Sequence, residues 1–148
     1  MKFIISAFLY CFLASTVQAQ DLHMVRAEQS FPEAMALLQE AITGQGYTVS
    51  RVQRVDIGLT SSGYRTDKYR VVFFGKPDEV REMSARHVDL VSYLPLKIAL
   101  FAEGEDTILL ASGFTNLEDH FRGTDVAARL EQWDADIASI LEAVRSAD

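Results

Sequence analysis

Apolar and polar residues alternate most regularly between Leu94 and Gly113, LPLKIALFAEGEDTILLASG. The first half has the period-2 pattern of a strand, with Leu96, Ile98 and Leu100 in one set and Lys97, Ala99 and Phe101 in the other. Thr107–Ala111 is a second segment rich in β-favouring residues. Gly104, inside an acidic turn, supplies the backbone freedom that a hairpin requires. We therefore predict a β-hairpin at the centre of the fold.

Further strands and helices are predicted around this hairpin. The strand candidates are Leu22–Ala27, Tyr47–Leu59 with a bulge between Ser50 and Arg54, and Tyr69–Phe74. The helix candidates are a segment capped by Ser30 and ended by Gly44, a peripheral segment from Pro77 to Arg86, and a short turn from Asn116 to Phe121. Ser30 and Glu33 have the spacing of a capping box, which makes the start of the first helix the best-defined boundary.

The C-terminal segment predicts a long amphipathic helix from Asp125 to Ser146. Its apolar residues recur at steps of three and four, the period of one helix face, and they are Val126, Leu130, Trp133, Ile137, Ile140, Leu141 and Val144. The order of elements is strand, helix, two strands, helix, two strands and long helix. This order predicts an α+β fold, an antiparallel sheet of about five strands with helices packed on one face.

The first nineteen residues have the pattern of a secretory signal peptide. Lys2 precedes the apolar run Phe3–Leu13, and Val17-Gln18-Ala19 fits a cleavage site after Ala19. A membrane anchor is the alternative, but the run is shorter than the roughly 18 apolar residues that a span requires. We expect residues 1–19 to be removed and residues 20–148 to form one periplasmic or secreted domain with no membrane span.

Composition narrows the range of partners. The formal net charge of −7 becomes −8 once Lys2, the only charged residue of the signal, is removed, and no cluster of Lys and Arg stands out. Nucleic acid and anionic membranes are therefore poor partners. Cys11 is the only cysteine and lies inside the signal, so the mature chain would have no disulfide, thiolate ligand or cysteine nucleophile.

No established catalytic or cofactor motif is present. The chain lacks a glycine-rich phosphate loop and a GxSxG nucleophile, and the serines of Ser61-Ser62-Gly63 lie in a predicted loop. We therefore predict no cofactor. Asp56, between Val55 and Ile57 in the predicted second strand, is interpreted as facing water or capping a neighbouring backbone rather than as a buried acid.

The histidines lack the spacing of known metal motifs, which favours ordinary surface or capping roles. If a metal binds, His120 with Asp119 or Glu118 is the first candidate. The adjacent pair His23 and Met24 is the candidate for a third function, metal or haem handling.

The hairpin strands present two apolar faces, and helices on one side cover only one of them. We assign Leu96, Ile98, Leu100, Ile108 and Leu110 to one face, and Ala99, Phe101, Leu109 and Ala111 to the other. Either Val72 and Phe74 or Val71 and Phe73 are expected to join the second face. An exposed apolar patch of this kind marks an interaction site, unless the chain's own loops and long helix cover it.

The second apolar face suggests a non-catalytic binding module. The face would be covered by a second copy of the chain in a homodimer, by a protein partner or by a small apolar ligand. Its candidate interface residues are Phe101, Leu109, Ala99, Phe74, Lys97 and Arg70. The alternative is an enzyme of unknown reaction, which requires a small polar pocket where side chains such as Arg70, Lys97 and His120 converge.

The chain resembles the bacterial "domain of unknown function 302" family between Ser30 and Thr115. The resemblance rests on Phe31 with its helix and on four short segments: Gly46-Tyr47-Thr48-Val49, Val55-Asp56-Ile57, Phe74-Gly75-Lys76-Pro77, and Leu94-Pro95-Leu96 before the hairpin. It implies a small fold of strand, helix, four strands and helix, related in outline to the TATA-binding-protein-like layer. It implies no activity and no catalytic residues.

Overall fold

The structure is a computed structural model that describes residues 21–147. The predicted signal peptide, with Lys2 and Cys11, lies outside the described residues. Within the described range, no helix is both long enough and apolar enough to cross a bilayer.

Within residues 21–147, five strands and five α-helices follow one another in the predicted α+β order, with one unpredicted helix after the second strand. The strands are β1 (Leu22–Ala27), β2 (Thr48–Arg54), β3 (Tyr69–Gly75), β4 (Leu96–Glu103) and β5 (Asp106–Ser112). The helices are α1 (Phe31–Gly44), α2 (Val55–Ser61), α3 (Pro77–Arg86), α4 (Thr115–Glu118) and α5 (Asp125–Arg145), with a 3-10 turn at Val88–Leu90.

The strands form one antiparallel sheet in the order β1-β5-β4-β3-β2. The predicted hairpin β4–β5 therefore lies at the centre of the sheet. Its turn consists of Gly104 and Glu105, and Gly104 has a positive φ of 63°, the backbone conformation that glycine adopts without steric cost. The central hairpin and the antiparallel five-stranded sheet are confirmed.

Helices α1 and α5 cover one face of the sheet and enclose the hydrophobic core. All seven apolar residues of the predicted C-terminal stripe are buried in α5, and Trp133 is only 1% exposed. From the sheet, Val72, Ile98 and Leu109 are completely buried against these helices. The long amphipathic helix across the sheet is therefore confirmed. We call this side of the sheet the covered face.

The start of α1 follows the predicted capping box. Both the backbone N–H and the Oγ of Ser30 hydrogen-bond to Oε2 of Glu33, at 3.1 and 2.6 Å. These bonds stabilise the charged carboxylate and lower the pKa of Glu33. The capping box fixes where the chain leaves β1 and crosses the sheet.

The second predicted strand is correct only in its first half. The bulge is present, because the register with β3 shifts between Val49 and Arg51. The strand ends at Arg54, however, and α2 occupies the rest of the segment that we predicted as extended. The irregular spacing of apolar residues in this segment therefore has two causes. One is the bulge in β2, and the other is the change from strand to helix, because half-buried Val55 and Leu59 lie one helical turn apart in α2.

Candidate functional site

The face of the sheet opposite α1 and α5 has a contiguous set of half-exposed apolar side chains. Residues directly opposite each other across strand pairs share a face, so Val71 with Ala99, Ala99 with Leu110, and Leu110 with Met24 form one row across four strands. We define the open face as Leu22, Met24, Tyr69, Val71, Phe73, Ala99, Phe101, Ile108 and Leu110. None of these nine side chains is buried.

Exposure on the open face is greatest at the β1 edge. Met24 is 63% exposed and Leu22 is 48% exposed, whereas the members on the inner strands are half-buried by their neighbours in the sheet. The rings of Tyr69 and Phe101 meet edge to face with their centroids 6.3 Å apart. The open face is therefore a broad apolar surface rather than a set of isolated side chains.

Charged residues lie at the two ends of the open face. Lys97 and Arg51 flank Phe73 at one end, because both pair with it in the register. At the other end Glu103 and Asp106 face each other across the hairpin, and Arg26 binds both of them. Among the described residues, neither Lys97 nor Arg51 forms a salt bridge.

Three of the six predicted interface residues lie on the open side of the sheet, and the other three, Phe74, Leu109 and Arg70, do not. Ala99, Phe101 and Lys97 are on the open face, whereas Phe74 and Leu109 are on the covered face and 0% exposed. The predicted phase between β4 and β5 is wrong by one residue, because Leu100 pairs with Leu109. A slip of one residue moves every side chain of a strand to the other face, so Ile108 and Leu110 take the places that we gave to Leu109 and Ala111.

Arg70 lies at one corner of the covered face, where it contacts other residues of the same chain. It forms an ion pair with Asp56 of α2, and the two side chains are 15% and 16% exposed. Its guanidinium also lies 5.8 Å from the ring centroid of Phe31. The hydrogen bond from Arg70 holds the pKa of Asp56 below its ordinary value. Asp56 is thus a helix residue paired with an arginine, not the strand residue that we predicted.

The polar pocket of the enzyme alternative does not form from the predicted residues. Arg70 is on the covered face, Lys97 is on the open face, and His120 follows α4. Arg70 lines a shallow cleft of about 420 Å³ together with Phe31, Pro32, Met35, Val52, Arg54 and Lys68. This lining includes three cations and no carboxylate or imidazole that could act as a general base.

The residues predicted as the first candidate for a metal site, His120 and Asp119, form contacts with different partners. His120 contacts Asp89, with Nε2 2.7 Å from Oδ2, and this bond lowers the pKa of Asp89. Asp119, the predicted partner of His120, pairs with Arg122 instead.

His23 and Met24 point to opposite faces of β1, because successive strand residues alternate. Met24 is on the open face, and His23 faces α5 with Nε2 2.8 Å from Oδ1 of Asp134. The adjacent pair therefore cannot supply two ligands to one metal or haem.

A comparison of the sequence with known protein families gives a match that covers most of the chain. The family described as "Domain of unknown function DUF302" matches residues 23–144. The chain belongs to the DUF302 family. The match begins at β1 and extends almost to the end of α5, beyond the Ser30–Thr115 range of the sequence resemblance. No curated protein matches the chain.

A solved DUF302 structure has the same fold. It is the crystal structure of an uncharacterized conserved protein DUF302 from Bacillus stearothermophilus, with a TM-score of 0.66 and 20% sequence identity. The similarity covers 86% of this chain and 97% of that chain. At this identity the likeness establishes the DUF302 fold and does not transfer a function.

Proposed function

We propose that this DUF302 protein is an exported, non-catalytic binding module that works as a homodimer through its open face. The observation that carries the proposal is the row of half-exposed apolar side chains across four strands, from Val71 to Met24. Large apolar patches with polar rims are typical of interaction sites.

The size of the open face fits an interface between two protein chains. Its four strands, about 4.8 Å apart and each about seven residues long at 3.3 Å per residue, span roughly 440 Å². Specific interfaces bury about 800 Å² per partner, and accessible area exceeds the flat area because side chains protrude. The open face therefore supplies at least about half of a dimer interface of modest affinity, and the charged residues at its ends add to this area.

The charges at the two ends favour a second copy of the same chain as the occupant. In a symmetric dimer with the two-fold axis across the strands, each positive end, with Lys97 and Arg51, lies opposite the partner's negative end, with Glu103 and Asp106. The apolar middle then packs on itself, as in the core-and-rim arrangement of protein interfaces. A small apolar ligand would leave Lys97 and Arg51 without an acidic partner, whereas Glu103 and Asp106 already share Arg26.

Export is supported by the sequence pattern of residues 1–19. A mature chain without cysteine cannot form a disulfide-linked dimer, so association in an oxidising compartment would depend on the face itself. An enzymatic role remains the second hypothesis, but the cleft beside Arg70 offers no acid–base pair to support it.

Sedimentation equilibrium tests the proposal. The parent protein is expected to dimerise at micromolar concentration, and Leu110→Lys, in the middle of the open face, is expected to remain monomeric with an unchanged circular dichroism spectrum. Val88→Lys is the matched control, because Val88 is 82% exposed and lies outside the sheet. A parent that stays monomeric at several hundred micromolar, or a Leu110→Lys variant that dimerises like the parent, would contradict the proposal.

A further inference from the structure

A cluster of three potential metal ligands joins the start of β1 to α5 on the covered side of the sheet. Asp21, His23 and Asp134 each place one ligand atom within 4.8 Å of the other two, and all three residues are half-buried. Nε2 of His23 lies 2.8 Å from Oδ1 of Asp134. The three residues come from a loop, a strand and a helix, so the fold, rather than local sequence, brings them together.

The surrounding backbone positions Asp21 within the cluster. Its carboxylate accepts a hydrogen bond from the backbone N–H of Thr115, and its carbonyl accepts one from Gly113 at 2.9 Å. A Cβ at position 113 would clash with the Asp21 carboxylate, so the glycine leaves the space that the carboxylate occupies. Hydrogen bonds of this kind orient the ligands of metal sites.

This cluster differs from the other two His–Asp contacts of the described chain. Asp125, which lies 3.4 Å from His87, also forms a salt bridge with Arg86 at 2.7 Å. His120 contacts Asp89, and the neighbouring carboxylate of Asp119 forms a salt bridge with Arg122 instead of joining this contact. Among the described residues, only the His23 contact combines one imidazole with two carboxylates, and neither carboxylate has a salt bridge to Lys or Arg.

We propose that Asp21, His23 and Asp134 bind a divalent transition-metal cation such as Zn²⁺. Imidazole nitrogen and carboxylate oxygen are both ordinary zinc ligands, and three protein ligands leave one position for water or another ligand. Two carboxylates beside a neutral imidazole also provide the negative charge that a dication needs. The side chains of His23 and Asp134 are 24% and 35% exposed, so the ion can reach them from solvent.

Calorimetric titration of the tag-free protein with Zn²⁺ tests this inference. We expect one ion per chain, and affinity at least about 100-fold weaker in His23→Ala and in Asp134→Asn, since each loses one of three ligands. His120→Ala is the matched control, because it removes the other close His–Asp contact, and it should bind zinc like the parent. Saturating zinc should also raise the melting temperature of the parent by roughly 10 °C.

A second measurement does not depend on the variants' folding. The chain has three histidines, so the imidazole resonances of the parent can be followed individually by NMR. Zinc is expected to shift the ring signals of His23 and leave those of His87 and His120 unchanged. The inference is overturned if zinc does not bind, if it shifts all three rings alike, or if His120→Ala loses as much affinity as His23→Ala. None of these results depends on whether the protein dimerises.

Discussion

The indole Nε1 of Trp133 donates a hydrogen bond to Oε2 of Glu79 at 3.1 Å, and this contact joins α5 to the first turn of α3. The indole is 1% exposed and packs against Phe114 with 5.9 Å between ring centroids. Glu79 also binds Arg129 of α5, at 2.6 Å. Trp133 therefore links the long helix to the peripheral helix as well as to the core.

Replacing Trp133 by Ala should lower the free energy of unfolding by about 3–5 kcal/mol, because a large buried ring leaves a cavity. Trp133→Phe keeps an aromatic ring and loses the N–H donor, so it should cost less than the alanine variant. Urea unfolding followed by circular dichroism measures both changes. An alanine variant with the same urea midpoint as the parent would show that α5 is not docked on the sheet.

The ion pair of Asp56 with Arg70 should make stability depend on pH in the acid range. The bond from Arg70 lowers the pKa of Asp56 in the folded protein below its ordinary value of 3.8. The unfolded chain therefore binds more protons near that pH, and folding stability rises with pH. The contribution is complete above the ordinary pKa and is lost as the pH falls through the lowered one.

Asp56→Asn should accordingly destabilise the protein by about 1–2 kcal/mol at pH 7, and the difference from the parent should shrink as the pH falls below 3.8. Urea unfolding at several pH values measures it. Asp78→Asn is the control, since Asp78 and Arg81 form an ion pair whose side chains are 94% and 76% exposed, and it should cost less than about 1 kcal/mol. A pH-independent loss in Asp56→Asn would be inconsistent with the ion pair.

The proposed dimer predicts an effect of reversing charge at the ends of the open face. Lys97→Glu should weaken dimerisation by roughly tenfold at low salt, because two attractive pairs become repulsive. The double variant Lys97→Glu/Glu103→Lys should regain affinity, and the difference between the variants should fade at 1 M salt, where the Debye length is about 3 Å. Sedimentation equilibrium gives these affinities. A double variant weaker than Lys97→Glu at low salt would exclude this orientation.

Helices and strands could be predicted from the sequence where apolar residues recur at a regular spacing or where capping residues mark an end. The seven buried residues of α5 recur at helical steps, and Ser30 with Glu33 marks the start of α1 through a local hydrogen-bonding pattern. In each case the information lies within a few consecutive residues. The end of β2 was missed because Val55 and Ile57 fit a strand as well as the first turn of α2.

The candidate sites depended more on relations between distant residues. Ala99 and Phe101 were placed on the open face correctly, but Leu109 was not, since its face is set by the cross-strand register and not by its own neighbours. The cluster of Asp21, His23 and Asp134 was missed entirely. His23 and Asp134 are separated by 111 positions, and no short spacing motif can reveal such a contact.

The central claim is that a second copy of the chain covers the open face, and a distance between spin labels tests it most directly. Ala99 lies on the middle strand of that face, and Ala138 is exposed on α5. In the proposed mature chain, which begins at Gln20 and contains no native cysteine, a label is attached to Ala99→Cys or to Ala138→Cys, and double electron–electron resonance gives the distance between the two copies.

Facing sheets lie about 10 Å apart, so the two labels at position 99 should be within roughly 25 Å of each other. Labels at position 138 should be more than about 35 Å apart, because a helix layer on each side adds roughly 10 Å. A shorter distance at 138 than at 99, or no dipolar signal from the label at position 138 at several hundred micromolar protein, would contradict the proposed dimer.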